Sequence, residues 1–196
     1  MSQEDVYFRR NGGRATPLHA KIAPALNALQ IKPQRILEVG CSSGAGLDAL
    51  RCTFSADCHG VEPEEEAVEA GRKAFPDLNL LVGSADSLPF DASQFDLVVF
   101  GFCLYLCDNY PRIVAEADRV LTKPGTLVVA DFCSKTPLRK PYAHGNRDMR
   151  KMEFSQLFLA HPAYRLLSRT YNEASGDVTF EIDQWETVDV LRNDLS

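Results

Sequence analysis

The chain has 196 residues, 45% of them hydrophobic, which is enough for one good core and not comfortably for two. Its 27 acidic residues outnumber its 21 basic ones, and the formal net charge of −6 argues against a general binder of phosphate backbones, which carries a basic surplus. No apolar run approaches the length of a bilayer-spanning helix, the start "MSQEDVYFRRNGG" lacks the form of a signal peptide, and lipidation motifs are absent; a cytoplasmic, soluble protein is expected.

In chain order, "PLHAKIAPALNALQI" (17–31) has apolar residues at helical spacing and predicts an N-terminal helix despite Pro24. "RILEV" (35–39) reads as a short buried strand, "GAGLDALRCTF" (44–54) as a helix, and "DCHGVE" (57–62) as the next strand. "PEEEAVEAGRKAF" (63–75) is a helix opened by Pro63, with glutamates in its first turn and Arg72 and Lys73 near its end. "LNLLVG" (78–83) and "FDLVVFG" (95–101) are two more strands, separated by the loop "SADSLPFDASQ". "YPRIVAEADRVL" (110–121) puts Ile113, Val114, Ala117, Val120 and Leu121 on one helical face; "KPG" stops it, and "TLVVADF" (126–132) is a fifth apolar strand. Beyond residue 133 the pattern breaks into a basic loop, 134–148, and a helix over "MRKMEFSQLFLA" (149–160). "YRLLSRTYN" (164–172) and "WETVDVLRN" (185–193) then form an antiparallel pair at one side of the sheet.

Strands that alternate with helices and are apolar throughout lie in a parallel sheet covered on both faces. The expected fold is therefore α/β, a doubly wound (Rossmann-like), mostly parallel seven-stranded sheet with helices on both faces. Such sheets bind ligands beyond the carboxyl ends of their strands. Six cysteines, at 41, 52, 58, 103, 107 and 133, form no C-x-x-C and no zinc-ligand spacing with histidine, so reduced thiols, no disulfide and no metal are expected.

The turn after the first strand, "ILEVGCSSGAG", decides the ligand class. Gly40, Gly44 and Gly46 have a spacing similar to that of short-chain NAD(P) dehydrogenases. Those enzymes need Tyr-x-x-x-Lys to move a proton, and no tyrosine here is followed by lysine four residues on. Glu38 would also sit awkwardly beside a pyrophosphate, whereas a carboxylate there suits the cationic S-adenosylmethionine.

"LEVGCSSG", "GVEPEEEAVEAGRK", "GSADSLPFDASQFDLVV" and "EADRVLTKPGTLVVAD" together resemble, in order and spacing, the class I S-adenosylmethionine-dependent methyltransferases of type 11, over residues 35 to 132. The resemblance implies that Glu38 orients the first loop or binds the methionine ammonium, and that Gly40, Cys41, Ser42 and Gly44 pass the methionine and ribose. It implies that Glu62 takes the ribose hydroxyls, that Pro63 packs on the adenine, and that Asp86, between Ala85 and Ser87, accepts from the adenine amino group. Phe102 and Cys103 would flank the sulfonium. Ser42 stands where such families usually carry glycine.

The expected organisation is a single methyltransferase domain. It comprises an N-terminal cap and helix (1–34), a cofactor-binding core (35–132), a basic substrate-side insertion (133–176) and a C-terminal strand region (177–196). The loop "GFCLYLCD" lacks the Asn/Asp-Pro-Pro-Tyr/Phe pattern of base-modifying enzymes and there is no Pro-Cys pair, so nucleic acid is not the expected partner. Residues 133–176 hold eight Lys/Arg against three acids, a net +5 that leaves −11 on the remainder. That island points to an anionic or nucleotide-linked small substrate reached by Arg147, Arg150 and Lys151, although a solvated basic face would look the same. Methyl transfer needs a base only when the acceptor carries a proton; His144 is the first candidate and Tyr142 the second. The N-terminal segment "VYFRRNGGRATPL" is expected to close over the cofactor, with Tyr7 and Arg14 reaching in. His19 and His59 read as structural. Two other classes stay open: an NAD(P) oxidoreductase, and a methyltransferase-like module that binds without catalysis.

Overall fold

The computed structural model describes residues 8–9, 12–142, 147–172 and 184–194. The five apolar runs form β1 (Arg35–Val39), β2 (Asp57–Glu62), β3 (Asn79–Val82), β4 (Phe95–Gly101) and β5 (Leu121–Ser134). The two C-terminal runs form β8 (Tyr164–Asn172) and β9 (Gln184–Asn193). These seven strands make one sheet in the order β3-β2-β1-β4-β5-β9-β8. β1 to β5 are parallel; β9 enters antiparallel between β5 and β8.

The period of two along each strand fills both faces at once. Leu37, Val39, Val98, Phe100, Leu127 and Val129 point to one side, where Ile113, Ala117 and Val120 of the helix Tyr110–Val120 cover them. Ile36, Leu97, Val99, Val128 and Ala130 point to the other. There they meet α1 (Ile22–Ala28), α2 (Ala45–Phe54) and α3 (Glu65–Ala74) through Ile22, Leu26, Leu47, Leu50 and Val68. Tyr110–Val120 is α4 in chain order. Glu38 falls on the same face as Ile36, so the alternation that builds the core also drives a carboxylate into it.

The structure departs from the sequence reading at two places. The N-terminal helical pattern splits into a 3-10 turn, His19–Lys21, and α1. Pro24 sits in the first turn of α1, where its missing N–H leaves no bond unmade. The segment 134–160 is not a loop followed by a long helix. It holds a two-stranded ribbon of β6 (Leu138–Pro141) and β7 (Asp148–Lys151), then only a short helix, α5 (Gln156–Leu159). Met149 and Lys151 are buried in alternation and Arg139 pairs with Asp148 across the ribbon at 2.6 Å, so cross-strand partners overrode helical spacing. Among the described residues no helix is long and apolar enough to cross a membrane.

Candidate functional site

β1 sits between β2 and β4, so the chain reverses its direction of travel across the sheet at the β1–β4 boundary. Beyond the carboxyl ends of these strands, where doubly wound sheets bind ligands, lies a cavity of about 360 Å³. Its wall brings together Gly40, Cys41, Ser42, Glu62, Pro63, Ala85, Asp86, Phe102 and Cys103.

The glycine turn works by close approach. Gly40 has φ +76°, and its N–H donates to the carbonyl of Val61 at 2.8 Å, which bends the chain across the end of β2. A Cβ on Gly40 would lie 2.4 Å from Cys103 Cβ. Gly40→Ala therefore combines left-handed strain with a clash against an atom that no rotamer can move, and should destabilise the fold by about 2–4 kcal/mol, read from the urea midpoint. Cys103→Gly in the same chain should recover only the clash.

Glu62 ends β2 with both oxygens engaged: Oε2 accepts from the Ser42 N–H at 2.9 Å and Oε1 from the Glu64 N–H at 3.3 Å. Burial raises its pKa above the ordinary carboxylate value, against the two N–H bonds that favour the anion. Ser42, at φ +50°, takes the left-handed conformation in which Glu62 can hold it, which is how serine serves where glycine was expected. Asp86 stands at the rim, its Oδ1 accepting from the Ser84 hydroxyl at 2.6 Å, a bond that lowers its pKa.

Glu38 lies beneath the turn, fully buried. Oε1 is 2.5 Å from Nε2 of His19, while Oε2 is buried without a hydrogen-bond partner among the described residues. His19 lines the cavity, as do Gly13, Arg14 and Ala15, so the segment before α1 is part of the wall. It is fastened there by the Ser43 hydroxyl, which donates to the Gly13 carbonyl at 3.0 Å, and by the 2.7 Å Arg9–Glu66 ion pair.

On the far side, β4 ends at Gly101 and the chain turns through Phe102 at φ +63°, an unusual conformation for an aromatic residue. The ring packs 4.6 Å from Phe132 and 5.4 Å from Tyr105. Burial pushes the thiols of Cys103 and Cys41 well up, so both are neutral small side chains here. All six cysteines are free thiols. Beneath Phe102, Asp131 Oδ2 accepts from the N–H of Leu104 at 2.8 Å and of Tyr105 at 3.4 Å, and Oδ1 from that of Phe132 at 2.7 Å.

Other expected residues lie elsewhere. Gly44 is the left-handed residue that opens α2 and Ser87 is exposed behind the rim; neither lines the cavity. Tyr142 packs against Tyr105 with ring centroids 5.9 Å apart, one layer away from the wall. His144 and Tyr7 fall outside the described residues. The basic island is largely tied up in pairs. Arg150 meets Asp108 at 2.9 Å, Arg169 grips Asp189 and Glu153, and Lys151 is buried over the Phe132 ring at 4.3 Å. Arg147 alone of the three expected cations reaches the cavity wall, with Nη1 donating to the Leu106 carbonyl at 3.1 Å. Gly101 and Asp131 stand at strand ends, where the sequence points to a site without giving either a role, and His19 reads as structural; the parts they play come from the tertiary fold.

The strand order, with a cavity beyond the carboxyl ends of the strands, is that of the class I S-adenosylmethionine-dependent methyltransferase fold. Residues 37–129, just under half of the chain, match the type 11 family model described as "Methyltransferase domain". It is 33% identical over 107 residues to a phthiotriol/phenolphthiotriol dimycocerosates methyltransferase of Mycobacterium leprae, covering 53% of this chain and 40% of that protein. It is 32% identical over 119 residues to the demethylmenaquinone methyltransferase of Renibacterium salmoninarum, covering 56% and 46%. The chain thus spans less than half the length of these two relatives. In fold it resembles a Burkholderia thailandensis 1,6-didemethyltoxoflavin-N1-methyltransferase solved with S-adenosylhomocysteine. The TM-score is 0.69 at 16% identity, covering 90% of this chain and 78% of that one.

Proposed function

We propose that this chain transfers a methyl group from S-adenosylmethionine to a small molecule that has an apolar body and an acidic group. The observation that carries the reading is Glu38. A buried carboxylate with His19 on one oxygen and the other unpartnered among the described residues has an acceptor left to fill, and the methionine ammonium supplies a charged donor for it. Glu62 would hold the ribose, Pro63 the adenine face, and Asp86 the adenine amino group, with Gly40, Cys41, Ser42 and Gly44 shaping the turn, Ala85 framing the rim and Ser87 standing behind it. When bound, the sulfonium supplies a methyl carbon already activated for in-line displacement.

The protein's own work is alignment and exclusion of water. Phe102, Cys103, Tyr105, Leu106 and Ile113 form the apolar side of the cavity on which an acceptor's body would lie, and Arg147 would meet its acidic group. For an acceptor that carries a proton, His144 and Tyr142, in the segment after β6, are the proposed bases. The dehydrogenase alternative finds no support, since among the described residues no lysine lines the cavity to complete a proton relay.

Titration with S-adenosylmethionine, S-adenosylhomocysteine and NADPH tests the donor; binding of NADPH alone would overturn the reading. Screening carboxylated and phosphorylated metabolites for methyl acceptance tests the rest. Arg147→Gln should raise KM for an accepted anion by about 10- to 100-fold and leave donor affinity alone, as expected for loss of one charge-assisted pair. Equal loss for neutral acceptors would remove the anionic requirement.

A further inference from the structure

The contacts around His19 exceed what a structural histidine needs. The side chain is 11% exposed on the cavity wall, with Nδ1 2.7 Å from the Thr16 hydroxyl oxygen and Nε2 2.5 Å from Glu38 Oε1. Two chain segments leave out side chains to admit it. A Cβ on Gly46 would lie 2.3 Å from His19 Cδ2, and one on Gly101 would lie 2.6 Å from Nε2 and 2.5 Å from Glu38 Oε1. The imidazole and carboxylate therefore form one seated pair, beneath a cavity whose expected occupant carries an ammonium.

We propose that His19 is the resident counter-ion of Glu38, and that it gives up its proton when a cationic ligand group takes over that role. This rests on the assignment of the cavity to S-adenosylmethionine. In the free protein the imidazolium balances the buried carboxylate. With an ammonium on the other oxygen, one carboxylate would face two cations in a space poor in water, and the proton is the component that can leave. Thr16 makes both states possible. Its hydroxyl accepts from Nδ1–H in the cation and, by rotating, donates to bare Nδ1 in the neutral ring, while Nε2–H stays on Glu38. The proton passes from Nδ1 to solvent; no bond between heavy atoms changes.

The titration of the ring agrees with this geometry. Burial lowers the His19 pKa, but attraction and hydrogen bonding to Glu38 outweigh it, and the pKa is raised above 6.5. Arg14, Glu62, Glu64, Asp86, Asp108 and Arg147 line the same cavity, yet Glu38 is the one charge that moves the imidazole. A raised pKa means that the pair's contribution to stability is complete below pH 6.5 and is lost as pH rises through the folded value.

The test is calorimetric titration of the whole chain with S-adenosylhomocysteine at pH 6.5, in buffers of different ionisation enthalpy. More than half a proton should be released per ligand bound, because a pKa above 6.5 leaves the free ring mostly protonated at this pH. Affinity should climb towards tenfold per pH unit below the folded pKa, and both effects should vanish in His19→Gln. Nitrogen chemical shifts of the His19 ring, read in the unaltered protein, should change from the cation to the neutral Nε2–H form on binding, whether or not the variant folds. Binding without proton release, or a ring that stays cationic, overturns the inference and leaves the cofactor assignment standing. Failure to bind overturns both.

Discussion

Glu62→Ala should weaken binding of S-adenosylhomocysteine by roughly 100- to 1000-fold, measured by titration calorimetry at neutral pH. In its proposed role the carboxylate accepts from two ribose hydroxyls while it holds the Ser42 N–H at 2.9 Å. Two hydrogen bonds to a charged acceptor, at about 1.5–2 kcal/mol each, account for a loss of that size. Folding stability should respond far less. The variant loses an acceptor for the Ser42 and Glu64 N–H groups, but it also removes a carboxylate whose raised pKa records the cost of its burial. Unequal losses in binding and in unfolding free energy would separate a ligand-holding residue from a structural one. Glu62→Gln keeps one acceptor oxygen and should fall between, about tenfold down. Unchanged affinity in Glu62→Ala would remove the ribose role.

How much of this was legible follows from where the information lies. The first five strands are apolar throughout and punctuated by glycine, proline and acidic helix starts, so local pattern sufficed for order and direction. The turn at Gly40 and the acids Glu38 and Glu62 are tied to strand ends by spacing alone, and the structure brings Glu62 to the cavity and Glu38 beneath it. His19 lies nineteen residues before its partner, in a segment whose helical pattern gives no hint that it doubles back over Gly46 and Gly101. Residues 149–160 failed differently, because apolar positions there satisfy both a helix and a strand and the pairing with Leu138–Pro141 decided. The basic island had a net charge visible in the sequence, but its ion pairs with Asp108, Asp189 and Asp194 reach outside it. Charge counting over a segment therefore overstated what it could offer a ligand.

Asp131→Asn should destabilise the protein most at acid pH, with the deficit shrinking between pH 5 and pH 8. Burial pushes the Asp131 carboxyl up to about 7, the N–H groups of Phe132, Leu104 and Tyr105 opposing it. Against an unfolded value near 3.9, the folded pKa is raised. The folded state therefore holds an extra proton between roughly pH 4 and 7. The resulting stability is complete below about pH 4 and is lost as pH rises through 7, a change of a few kcal/mol at about 1.4 kcal/mol per unit. Asparagine does not titrate and removes this dependence. It also presents an NH2 group to a site that offers only donors: either orientation sets a donor against Phe132 N–H or against Leu104 N–H, at a cost of about 1–3 kcal/mol. Urea unfolding of both proteins at pH 5 and pH 8 should show the two free energies converging. Parallel curves would mean that Asp131 does not titrate in this range. The consequence reaches the site because the Leu104 and Tyr105 N–H groups belong to the turn that seats Phe102 and Tyr105 against the cavity. In the variant, the amides of Leu104 and Tyr105 should exchange hydrogen faster than in the wild type, while those of β1 and β2 keep their protection. A change confined in this way would make Asp131 a positioning residue for the acceptor wall; uniform loss of protection would make it a general support of the fold.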